Sequence, residues 1–161
     1  MGRIIDIGAM IALLTLAYNI GRDVRDRRKA QAMKIACWLG TDKPLNKKIG
    51  DNKYPITIYN ASELPIYDVV VSADIVNQEN FETQMLTDTS SYVQIVPPGI
   101  RVVLVPWQGW CMHTQFGGAI TFRDCAGNWW RRDAVGNIKR SKKSSIDLYG
   151  LSRPVDSAEL Y

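Results

Sequence analysis

Between Tyr54 and Arg140 the chain is built from short runs rich in β-branched and aromatic residues, each closed by turn formers. The runs are YPITIYN (54–60), IYDVVVSADIV (66–76), SYVQIV (91–96), IRVVLVPW (100–107), GAITFRD (118–124), NWWRRD (128–133) and GNIKR (136–140). Asn60-Ala61-Ser62, Pro97-Pro98-Gly99, Gly109, Gly117-Gly118, Ala126-Gly127 and Gly136-Asn137 punctuate them. Short strands with such turns predict an all-β fold, an antiparallel, Ig-like β-sandwich of about seven strands. No long helical pattern alternates with the runs, which argues against a parallel α/β sheet.

Alternation assigns faces, because successive side chains of a strand point to opposite sides. Ile56 and Ile58 share one face. Val69, Val71, Ala73 and Ile75 share another, opposite Val70 and Ser72. Val102 and Leu104 oppose Val103 and Val105, so this run is apolar on both sides and is expected to be central. Ile120 and Phe122 alternate with Thr121 and Arg123. Residues 122–131 read as a hairpin whose turn holds Gly127 at positive φ and is capped by Asp124. Trp129 and Trp130 must then face opposite ways. Asn60-Ala61-Ser62 reads as a polar turn.

The first forty residues have a different texture. From Ile7 to Gly21 there are 15 residues without a charge, about 22 Å of helix. A comfortable span needs about 20 residues, with about 17 near the lower limit. Four readings compete: a short transmembrane helix, a cleaved signal peptide, an interfacial helix, and a helix buried in a protein partner or an oligomer. No small-x-small cleavage site follows the run, and residues 7–17 lack the polar face of an interfacial helix. The favoured reading is a membrane span, with Ile7, Met10, Ile11, Leu13, Leu14, Leu16, Ala17 and Ile20 in the hydrocarbon.

Arg22, Arg25, Arg27, Arg28, Lys29 and Lys34 follow directly, against Asp23 and Asp26. Basic residues stay on the cytoplasmic side. The expectation is a single-pass protein of the cell membrane with a cytoplasmic C-terminal domain, its basic residues touching anionic lipid headgroups. The division is 1–21 membrane helix, 22–40 basic juxtamembrane helix, 41–53 linker, 54–140 sandwich and 141–161 polar tail.

Charge partition bears on partners. Residues 1–40 hold seven Lys/Arg and three Asp, a net of +4; residues 41–161 hold 13 basic and 13 acidic residues, a net of zero. A neutral domain is a poor coat for nucleic acid, so none is expected as a partner. Three Cys (Cys37, Cys111, Cys125) and one His give neither a disulfide framework nor a paired zinc-ligand spacing. Reduced thiols fit a reducing compartment.

One resemblance stands out. The match runs from Arg28 through Gln31-Ala32 to Trp38. It continues with Asn60-x-Ser62-x-x-Pro65-Ile66-Tyr67-Asp68-Val69 and Pro97-Pro98-Gly99. It ends with Ile120-Thr121-Phe122-Arg123-Asp124-x-x-Gly127-x-x-Trp130-x-Arg132 and Gly136-x-Ile138. In these the chain resembles small uncharacterised actinobacterial proteins with an N-terminal membrane helix, a basic helix and a β-sandwich. The resemblance implies that architecture and no established activity.

Catalytic chemistry has little support. His113 with Cys111 and Cys125 could suggest a nucleophile pair, but nothing marks an orienting third group. No two carboxylates are set to converge, and there is no GxxxxGK[ST] or GxGxxG. No cofactor and no metal is expected. Trp107, Trp110, Trp129, Trp130, Arg131 and Arg132 have the composition of an interaction surface, although a role in the core weighs ahead of it, since Trp is highly buried on average. The expectation is a non-catalytic, membrane-anchored binding or scaffolding module with an unidentified protein partner. The alternative is a soluble sandwich whose N-terminal helix mediates homo-oligomerisation or docking.

Overall fold

The computed structural model describes residues 2–40, 52–107 and 114–161. Within the N-terminal helix, side chains are described for residues 8–23, 26 and 29–33.

Helix α1 (Gly2–Met33) is 32 residues long, about 48 Å end to end. The good helix formers of its second half carry it past the basic cluster. It stops earlier than the sequence suggests. Ile35–Leu39 is not helical but forms strand β1, paired antiparallel with β2 (Lys53–Asn60) from Ile35↔Asn60 to Leu39↔Ile56. Here pairing and burial of Ile35 override helix propensity. The sandwich therefore begins at Ile35, before the expected linker. Of that linker, residues 41–51 lie outside the described part of the chain.

All seven expected strands are present: β2, β3 (Ile66–Val76), β5 (Ser90–Val96), β6 (Gly99–Pro106), β7 (Gln115–Arg123), β8 (Trp129–Arg132) and β9 (Ile138–Arg140). A two-residue strand β4 (Thr83–Gln84) adds to them. One sheet has the order β1-β2-β6; the other runs β4-β3-β7-β8-β9, with β5 also paired to β3. All pairings are antiparallel. Between the sheets pack Ile35, Ile56, Ile58, Val103 and Val105 from the first and Val69, Val71, Ile120, Phe122 and Trp130 from the second. Ile56 with Ile58, Val69 with Val71, and Ile120 with Phe122 share faces as alternation assigned them.

Two expectations give way. Strand β6 is not central but ends its sheet, and its second edge is taken by the C-terminal residues: Tyr161 and Val102 exchange both backbone hydrogen bonds, at 2.9 and 3.0 Å. The Ala158 N–H donates to the Tyr92 carbonyl at 2.7 Å, and Ala158 and Leu160 pack on the core. The expected polar tail, 141–161, thus closes the open edges of β5 and β6 with residues 158–161. It also contains helix α2 (Ser145–Leu148), capped by Ser144, which lies on the outer face of β3 and β7. That helix explains why β3 is buried on both faces, Val70, Ser72 and Asp74 included.

The β7–β8 and β8–β9 turns are copies of each other. Residues 123–131 (RDCAGNWWR) and 132–140 (RDAVGNIKR) match at Arg, Asp, Gly, Asn and Arg. In each turn the Asp N–H donates to the Asn carbonyl, the Gly N–H donates to the Asp carbonyl, and the Asn N–H donates to the Asp side chain. Gly127 and Gly136 have φ of +81° and +94°, a conformation cheap only for glycine.

Candidate functional site

Helix α1 leaves the sandwich with its apolar residues uncovered. Met10, Ile11, Leu13, Leu14, Leu16 and Ile20 are all more than half exposed, and Ala17 is exposed too. At 100° per residue these bulky side chains cover about two thirds of the circumference. Gly8, Ala12, Thr15 and Asn19 form the uncharged remainder. Among the described residues, no helix is long and apolar enough to cross a membrane, so the expected span from Ile7 to Ile20 is not supported. The side chain of Ile7 lies outside the described residues, as do those of Arg25, Arg27 and Arg28. Arg22, Lys29 and Lys34 are exposed.

The other end of α1 is clamped. Gln31 Nε2 donates to the Pro65 carbonyl at 3.1 Å and to the Leu64 carbonyl at 3.3 Å, while its Oε1 accepts from the Cys125 N–H at 3.0 Å. Arg132 Nε donates to the Ile35 carbonyl at 2.7 Å, and its Nη2 reaches the Met33 carbonyl at 3.3 Å. A guanidinium thus serves the last carbonyls of the helix, where the helix dipole also favours a cation. The Gln31-Ala32 and Arg132 positions singled out by the resemblance are the two halves of this joint.

The Trp and Arg residues expected to form an interaction surface are dispersed. Trp107 is buried, its ring centroid 5.0 Å from Tyr54 and 4.9 Å from Phe116. Trp130 is buried in the core, and its indole N–H donates to Asp124 at 2.7 Å. Arg132 is in the helix joint. Trp110 lies outside the described residues, as do Cys111 and His113. Trp129 alone of the described Trp set stays half-buried on the outer face of its sheet.

Arg131 points from the same face into a covered polar cluster beneath α2. Its guanidinium pairs with Asp74, and Nη1 donates to Tyr149 Oη at 2.7 Å. Ser72 Oγ donates to Asp74 Oδ1 at 2.7 Å and lies 2.8 Å from Tyr149 Oη. Burial pushes the Asp74 carboxyl above its ordinary value, against the pull of Ser72, Arg131 and the Leu86 N–H. Burial works to lower Arg131, but Tyr149 and Asp74 outweigh it and leave Arg131 raised. The partners thus point opposite ways. Asp74 governs the response to pH, because it is fully buried and a guanidinium stays charged throughout. Burial also pushes Tyr149 up. Sealed this way, the cluster has the character of a structural pin.

Beside it the surface opens. Asp68 has φ +48°, and the β3–β7 register shifts between Tyr67 and Val70. Asp68 Oδ2 is held at 2.9 Å by both Nε and Nη2 of Arg123, and Tyr92 Oη donates to Oδ1 at 2.9 Å. The Arg123 guanidinium lies 5.4 Å from the Tyr67 ring centre and 5.9 Å from that of Trp129. A cleft of about 250 Å³ follows, lined by Asp68, Tyr92, Trp129, Ile146, Arg153 and Val155 with Pro154. Sequence reading missed it because its walls come from four separate parts of the chain. The signal it did carry was the Trp129–Trp130 pair, one of which had to face outward.

Cys37 is half-buried and Cys125 exposed. Burial, with Asp74 adding to it, pushes the Cys37 thiol up to about 12, so it is a poor nucleophile. Among the described residues no group of three His, Cys, Asp or Glu side chains could hold a metal ion. No protein-family model matches the chain, and no curated protein matches it.

Proposed function

We propose that the protein is a non-catalytic binding module held at a membrane by α1. One observation carries this reading: bulky apolar side chains from Met10 to Ile20 stand exposed around most of the helix, with no charge from Gly8 to Gly21. A groove in a partner covers one side of a helix. A helix whose bulky apolar side chains cover about two thirds of its circumference calls for an environment that reaches most of the way round it, and lipid does so. Since no described helix is long and apolar enough to cross a bilayer, α1 is taken to hold the protein by inserting its apolar run, with Arg22 snorkelling to the headgroups. The basic residues after the run favour a cytoplasmic sandwich and contact with anionic headgroups. The neutral charge of residues 41–161 argues against nucleic acid as the partner.

The test is fractionation of the full-length chain, with membranes washed in alkaline carbonate and then extracted with detergent. Retention through carbonate and release by detergent supports the tether. Release into carbonate sinks it and makes α1 a helix covered by protein, either a partner or further copies of this chain.

A further inference from the structure

We propose that the cleft between Trp129 and the segment 153–155 binds a small ligand carrying a flat apolar ring and an oxyanion. Its walls are aromatic and aliphatic: Trp129, Tyr92, Ile146, Pro154 and Val155. About 250 Å³ accommodates a single ring with a compact substituent. The charge inside is unbalanced. Asp68 is already engaged, Oδ1 by the Tyr92 hydroxyl and Oδ2 by two N–H groups of Arg123. Arg153 lines the same cleft and makes no ion pair with any described residue. Asp68 and Arg123 cancel, so Arg153 leaves a net positive charge that an oxyanion would complement with the planar guanidinium fork.

The site is also preorganised. The Arg123 guanidinium lies over both Tyr67 and Trp129 and is tied to Asp68, which limits the motion of the indole wall. Rigid aromatic walls reduce the ordering cost of binding. Burial, with the Asp68 carboxylate, pushes Tyr92 up, so it remains a hydroxyl that donates to Asp68 and can accept from a ligand. Asp68 at φ +48° sits where the β3–β7 register shifts, between Tyr67 and Val70. Such backbone strain concentrates where a site needs a local shape.

The experiment uses the full-length chain in nonionic detergent with ¹⁵N-labelled Trp, titrated with phenyl phosphate. The Trp129 indole resonance, assigned by Trp129→Phe, reports binding. The Trp130 indole, buried and bonded to Asp124, reports the fold. The expected result is a saturable shift of Trp129 with Trp130 unmoved. Arg153→Gln should weaken it about tenfold, the loss of one charge-assisted contact. Inorganic phosphate and phenol should each bind at least about tenfold more weakly, since each lacks one of the two recognised groups. No saturable shift would overturn the proposal. So would binding unaffected by Arg153→Gln, or phosphate or phenol binding as tightly as the ester. The cleft lies in the sandwich, so this outcome and that of the carbonate wash are independent.

Discussion

Asp124 shows how much one side chain organises here. It is buried, caps its own turn through the Asn128 N–H at 2.7 Å, and takes the Trp130 indole N–H. Asp124→Ala strands a buried indole donor as well as the turn. We expect a loss of about 2–3 kcal/mol, the cost of unmet buried hydrogen bonds, measurable by urea denaturation. Asp74 makes a prediction of a different kind. Its folded carboxyl is raised by burial, so the protonated form is favoured on folding. That contribution is complete below the unfolded carboxylate value of about 3.9 and is lost as pH rises through the folded one. In urea unfolding from pH 3.5 to 7, the stability of the wild type relative to Asp74→Asn should therefore fall as pH rises. A relative rise would mean that Arg131 outweighs burial.

At the scale of elements, the joint between α1 and the sandwich rests on Gln31 and Arg132. The double variant Gln31→Ala, Arg132→Ala should expose the backbone around Lys34, whose carbonyl accepts from Ala61 at 3.0 Å. Tryptic cleavage after Lys34 should speed up by about tenfold, the equivalent of about 1.4 kcal/mol of local opening, while the remaining sandwich stays protected. The terminal seam is a second case. A chain ending at Ser157 loses three backbone hydrogen bonds to Tyr92 and Val102 together with the packing of Leu160. At about 1 kcal/mol for each bond, thermal unfolding should show a loss of at least about 2 kcal/mol. These elements also mark what the sequence could and could not reveal. Alternation found the seven sandwich strands and their inward faces, because Ile56, Val71 and Phe122 obey a period of two. It missed β1, where Ile35 to Leu39 continue a helical pattern and only pairing with β2 decides otherwise. It missed the seam because 158–161 has no periodicity, its structure coming from edges left open elsewhere. The cleft was out of reach for the same reason: Asp68, Tyr92, Trp129 and Arg153 meet only after three strands and the tail have assembled.

For the whole molecule, the division of labour predicts separability. Removing residues 1–21 takes away the exposed apolar surface of α1 and leaves the clamp at Gln31 and every strand in place. The shortened chain should stay in solution without detergent and show a monomeric mass by light scattering. The full chain, if α1 were instead the core of an oligomer, would show a discrete larger mass under the same detergent-free conditions. That result would favour the alternative covering of the helix by protein.

The paired turns at Asp124 and Asp133 have a consequence for how such a sheet changes size. Each nine-residue unit supplies a turn followed by a strand, and both units begin Arg-Asp and end in Arg. Joining one unit to the next therefore restores the same junction wherever the copy is made. A tandem duplication of nine codons here would lengthen the sheet by one strand without inventing a connection. The two units differ according to their position. Trp130 fills the core in the first, while in the second Ile138 packs against the core and Lys139 and Arg140 form a short, exposed basic border. That border carries positive charge against stray strand pairing, so in any such series the unit at the edge is the one that has to end the sheet.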